Sequence, residues 1–95
     1  MSAWITGPVK NGATTAIGTN AKAISAADVG RLNRGLLLRS LSTNTATLYV
    51  GAIGVTAATG WPLEPGESLS VECTTCAELF VVAASGSQEL RYIGS

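Results

Sequence analysis

Apolar residues in this chain fall in short runs, and where they alternate with polar ones the period is two, the spacing of a strand with one face buried. Residues 68–73 are the cleanest case, with Leu69, Val71 and Cys73 on one side and Ser68, Ser70 and Glu72 on the other. Residues 35–41 carry leucines on both faces, Leu36 and Leu38 against Leu37 and Leu41. That predicts a strand covered on two sides, with Arg39 at the rim of the Leu37–Leu41 face. Residues 78–84 are apolar after the first and predict a central strand. Shorter pieces at 13–17, 21–25, 46–51 and 88–93 are separated by turn residues such as Gly18-Thr19-Asn20, Ser42-Thr43-Asn44-Thr45 and Ser85-Gly86-Ser87. The helical signal is confined to 25–34, where Ser25 stands as a cap and Asp28 three residues on; Gly30 and Gly35 leave room for a single turn. About eight short strands at regular spacing predict an all-β fold, a small jelly-roll-like β-sandwich. The pattern does not give the strand order.

One turn is legible in detail. In Glu64-Pro65-Gly66-Glu67, Pro65 presets φ for the first central position and Gly66 supplies the positive φ that a type II turn needs at the second. Residues 1–10, with Gly7-Pro8, fall outside the strand pattern and read as an N-terminal arm; residues 11–95 then form one β-sandwich domain. Trp4 on that arm needs cover from this subunit or another. Trp61-Pro62 places a second large aromatic in a loop, where Trp61 packs over the sandwich edge or anchors an interface.

Composition turns the reading toward assembly. Of the 95 residues, 46% are hydrophobic and 13% charged, with a formal net charge of +0, against roughly 25% charged in ordinary soluble domains. So few charges protect poorly against self-association, whereas a subunit whose faces are covered by neighbours needs few. Six basic residues against six acidic ones exclude the basic excess of a nucleic-acid module. Arg31, Arg34 and Arg39 form the one local basic cluster; they cap strand ends and pair with glutamates, or contact an acidic neighbouring subunit. Residues 40–63 hold no charge, but glycines, threonines, Asn44 and Pro62 break the segment below the length of apolar chain that spans a bilayer. The start, Met1-Ser2-Ala3-Trp4, lacks the basic region and apolar run of a secretory signal. No membrane partner is expected.

The side chains that carry most enzyme chemistry are missing. With no histidine, the usual general base and commonest metal ligand are gone. Glu64 and Glu67 flank a solvated turn. Gly51-Ala52-Ile53-Gly54 lacks the lysine and helix of a phosphate cradle and marks a strand end. Cys73-Thr74-Thr75-Cys76 lies between strands, not at the helix N-terminus of a redox motif. A pair of thiols with Cys73 toward the core is expected, with a disulfide or a zinc shared between subunits left open. No catalytic, cofactor or metal residue is assigned, and Trp4, Arg31, Arg34 and Trp61 stand as interface candidates.

Tyr49-Val50-Gly51, Gly54-Val55-Thr56, Gly60, Leu63-Glu64-Pro65-Gly66-Glu67-Ser68, the arginine-led strand Arg34 to Arg39 and the closing Arg91-Tyr92-Ile93 resemble a loose family of small tailed-bacteriophage virion proteins. The resemblance spans residues 31–95 and rests on glycines and turns. It implies a non-enzymatic structural subunit of the virion: a capsid decoration (cement) protein on the capsid surface, often a homotrimer, assembled in the host cytoplasm and partnered with the major capsid protein. A head–tail or tail connector, or a carbohydrate- or receptor-binding module using Trp61 or Tyr49 as stacking platforms, are the alternatives.

Overall fold

A computed structural model describes residues 10–24, 35–72 and 79–94. Its strands are β1 (Lys10–Ile17), β2 (Lys22–Ala23), β3 (Leu36–Ser40), β4 (Leu48–Gly51), β5 (Trp61–Leu63), β6 (Ser68–Val71), β7 (Phe80–Ala83) and β8 (Gln88–Gly94). They form two four-stranded antiparallel sheets, ordered β1-β8-β3-β6 and β2-β7-β4-β5. Behind that order lies one rule. The pairs β1·β8, β2·β7, β3·β6 and β4·β5 nest inside one another like a long folded ribbon. Rolling the ribbon adds the β3·β8 and β4·β7 pairs, which complete the two sheets. The protein is an eight-stranded β-sandwich with jelly-roll topology.

The core lies between the sheets. Ile17, Leu36, Leu38 and Leu90 from one sheet meet Leu48, Leu63 and Val81 from the other, all fully or almost fully buried. Leu36 and Leu38 are the inward pair of β3, and Leu37 and Arg39 face outward, half-buried and exposed. The two-sided cover predicted for this strand is therefore present on one side: a chain of this length makes two layers, and β3 faces the core with its even-numbered residues alone. β7, by contrast, is buried on both faces at Val81, Val82 and Ala83, as its continuous apolar run predicts. In β6 the alternation holds, but Leu69 and Val71 are half-buried because β6 is an edge strand.

Three elements differ from the sequence reading. β1 begins at Lys10, so that residue belongs to the sheet and not to the expected arm. Lys10, Asn11 and Gly12 are poor strand formers taken into the ladder by pairing with Gly94, Ile93 and Tyr92. β5 runs through Trp61 and Pro62, where a loop is predicted. It is an edge strand, the place where a residue without an N–H is tolerated. Third, β1 is interrupted: its register on β8 shifts between Thr14 and Ile17, where Ala16 sits at φ 55°, a bulge held by a non-glycine residue in the left-handed region. Beside it the open flank is tied across the sandwich, as the Thr14 hydroxyl donates to Ile24 O and Lys22 Nζ donates to Thr15 O at 2.7 Å.

The β5–β6 corner has the predicted geometry. Gly66 has φ 87° and Glu67 N donates to Glu64 O at 2.9 Å, closing the turn that Pro65-Gly66 encodes. The β3–β4 connection is held by two side-chain amides. Asn44 Nδ2 donates to Ser40 Oγ at 2.8 Å and Glu89 O at 2.7 Å, and its Oδ1 accepts from Glu89 N at 2.9 Å. Buried Gln88 accepts from Thr45 N at 2.8 Å and donates to Thr45 Oγ1 and Ser85 O. Asn44 thus acts as one more rung on the ladder beyond the end of β3.

Candidate functional site

The first candidate surface is the β4–β5 end of the sandwich. Trp61 and Leu63 share one face of β5 and lie opposite Val50 and Leu48. Leu63 is 2% exposed and Trp61 64%. Two residues advance a strand by about 7 Å, enough to carry the indole past the rim of the core. The tryptophan does not pack over the sandwich edge, the structural alternative the sequence left open; it projects. Ile53, in the connection between β4 and β5, is 80% exposed. These are two of the three large exposed hydrophobic side chains among the described residues, the other being Ile93.

The connection carrying Ile53 is a built structure. Val55 N donates to Ala52 O at 3.0 Å, and Thr59 N and Gly60 N both return to Thr56 O, at 3.1 and 2.9 Å. Thr59 Oγ1 accepts from Thr56 N at 3.1 Å. Val55 is 7% exposed and is tucked close to Gly60, where an added Cβ would stand 2.8 Å from Val55 Cγ2 and 2.6 Å from Tyr49 Cβ. A buried anchor and a hydrogen-bonded turn hold Ala52, Ile53, Ala57 and Ala58 outward. With Trp61 they form an uncharged tip on a segment, residues 40–63, that holds no Asp, Glu, Lys or Arg.

The second candidate surface is the outer face of the β1-β8-β3-β6 sheet. Two rows cross it. One runs Asn11, Ile93, Leu37, Ser70, and the next Ala13, Arg91, Arg39, Ser68. Leu37, Arg39, Ser68, Arg91 and Ile93 line a shallow depression of about 250 Å³. Arg91 Nε donates to Glu89 Oε2 at 2.8 Å.

The remaining expectations divide simply. Glu64 and Glu67 are exposed and held by neutral donors: Thr47 Oγ1 to Glu64 Oε1 at 2.9 Å and Glu64 N to Glu67 Oε1 at 2.8 Å. They build a turn. Tyr49 is half-buried on β4. Trp4, Arg31, Arg34, Cys73, Cys76 and the helical turn at 25–34 lie outside the described residues. Among the described residues no group of three or more potential ligands is placed to hold a metal, and no helix is long and apolar enough to cross a membrane. Sequence reasoning missed Ile53, whose glycine neighbours drew attention to the backbone instead, and the juxtaposition of Arg39 with Arg91, which only the register reveals. Compared with protein-family models, with curated proteins and with solved structures, the chain finds no match in any of the three.

Proposed function

We propose that this protein is a non-enzymatic structural subunit of a tailed-bacteriophage virion, a capsid decoration (cement) protein that binds the outer shell, most simply as a homotrimer, with the major capsid protein as its partner. The observation that carries the reading is the uncharged tip, where Trp61 stands exposed on β5 and Ile53 on the hydrogen-bonded β4–β5 connection. Holding two large apolar side chains in water gains a lone domain nothing, whereas a neighbour's surface converts them into anchors. The jelly roll adds fold-level analogy alone, since capsid and lectin domains both use it. The glycine-and-turn resemblance supplies the viral address.

In this reading the tip and the arm at residues 1–9, with Trp4, clamp adjacent capsid subunits. Stabilisation of the shell follows by linkage, because a ligand that binds only the assembled form opposes its dissociation. Analytical ultracentrifugation and co-sedimentation with purified tailed-phage shells test the proposal. A discrete oligomer that saturates shells supports it; a monomer that stays in the supernatant at every concentration overturns it. A head–tail or tail connector is the same physical object at another address, and binds tails in that assay. The exposure of Trp61 also favours a second reading, a carbohydrate- or receptor-binding module with the indole as stacking platform. A glycan-dependent shift of Trp61 fluorescence, without shell binding, would select it.

A further inference from the structure

Arg39 and Arg91 lie directly opposite each other on the exposed face of β3 and β8, the two central strands of their sheet. Directly opposed residues of an antiparallel pair have Cβ atoms roughly 5 Å apart, and like charges there are destabilising. In a chain with six basic residues in all, two are placed where they repel. Glu89 answers one of them, through Arg91 Nε, and among the described residues this is the one ion pair. The local excess of positive charge sits beside an apolar row. Leu37 is paired with Ile93 one step along the same face, and Ile93 is 36% exposed. The flanking positions, Ala13, Ser68 and Ser70, are short and leave the depression open.

We propose that the Arg39–Arg91 pair is a docking site for the carboxylate of an acidic side chain on a partner protein, with an adjacent apolar side chain of that partner resting on Leu37 and Ile93. Guanidinium groups bind carboxylates through paired, charge-assisted hydrogen bonds, and the incoming charge removes the repulsion between the arginines. Two arginines offset by one glutamate are too few to neutralise a nucleic-acid backbone, where roughly six to ten phosphate contacts are usual. Of the chain's own carboxylates, Glu64, Glu67 and Glu89 are poor occupants, each held within the protomer, by Thr47, by the Glu64 amide and by Arg91. We assign the acid to a different protein on charge complementarity; a second copy bringing its exposed Glu72 is the rival that the concentration series below separates. The inference rests on the reading of this chain as a docking subunit, but not on which particle receives it.

The test uses the full-length protein with the blocked tripeptide acetyl-Leu-Glu-Leu-amide and its glutamine counterpart, followed through the methyl resonances of Leu37 and Ile93. The glutamate peptide shifts these methyls saturably. The glutamine peptide binds about tenfold more weakly, as does the glutamate peptide to Arg39→Gln, each losing a charge-assisted contact. Arg39→Gln unfolds at the same or higher urea concentration than the parent, because it removes a like-charge neighbour; a structural arginine would show the reverse. Equal binding of the two peptides, or an Arg39→Gln variant that binds normally, overturns the proposal. So do methyl shifts that grow with protein concentration alone and vanish in Arg39→Gln, since the occupant is then a second copy. Shell co-sedimentation separates the two readings: glutamate-peptide binding without shell affinity sinks the capsid reading alone, and shell affinity unchanged in Arg39→Gln sinks this one alone.

Discussion

Replacing Asn44 by alanine removes three hydrogen bonds at once: two donated, to Ser40 Oγ and Glu89 O, and one accepted from Glu89 N. A typical intramolecular hydrogen bond contributes about 1 kcal/mol net, which sets an upper figure of about 3 kcal/mol. The site is part-buried, so water re-satisfies some of the freed backbone groups, while the hydroxyl of fully buried Ser40 loses a partner outright. The expected loss is about 2 kcal/mol. For a domain of this size that is a large share of a total stability of roughly 5–15 kcal/mol, and it lowers the melting temperature by about 8–16 °C. Urea unfolding followed by circular dichroism measures it, with the denaturant slope required to stay constant so that the shift reports stability. Thr43→Ala, an exposed position in the same turn, is the control and should change stability by less than about 0.5 kcal/mol. If Asn44→Ala is as mild as Thr43→Ala, the idea that a side-chain amide extends the ladder past β3 is wrong.

Other expectations are equally direct. Ala16→Gly should stabilise the fold by up to about 1 kcal/mol, because relief of the left-handed strain, about 1–2 kcal/mol, outweighs the added entropy of glycine in the unfolded chain; a lower urea midpoint would show the bulge to be unstrained. Trp61→Ala combined with Ile53→Ser should abolish shell or oligomer binding with an unchanged melting temperature, since both side chains project from the core. A melting temperature lower by more than a few degrees would show instead that the indole packs within the protomer. Removing residues 1–9, which leaves β1 whole, should weaken attachment to particles in a sedimentation assay and preserve the circular dichroism spectrum. Normal occupancy by the truncated protein would refute a role for the arm.

What the sequence revealed follows from the range of each signal. The central strand β7 was legible because burial on both faces imposes a run of apolar residues that survives any pairing order, whereas β3 was legible as a strand but its leucines on both faces overstated its cover. The type II turn was legible because Pro65 and Gly66 act on their own backbone. β5 was not, since Pro62 argues against a strand unless the strand is known to lie at an edge, and edges are a property of the completed sheet. The same holds for the sites. Trp61 was visible as a residue, but its projection depends on where the core ends along β5. Arg39 and Arg91 are neighbours only through the β3–β8 register, as Asn44 and Glu89 are only through the folded loop. Long-range pairing leaves no local mark.

The nested ribbon has a consequence for how the molecule is made. β1, made before the other seven strands, must wait for β8 before its ladder can close, and β2 must likewise wait for β7. Only the innermost hairpin, β4 with β5, joins segments close enough in the chain to pair early. Folding dominated by such distant contacts runs on the millisecond-to-second scale, and none of the β8 ladders can close before β8 itself is made. During that interval the sticky tip is formed while the rest is open, so nascent chains at high local concentration risk meeting one another through Ile53 and Trp61 before they have a finished body to carry.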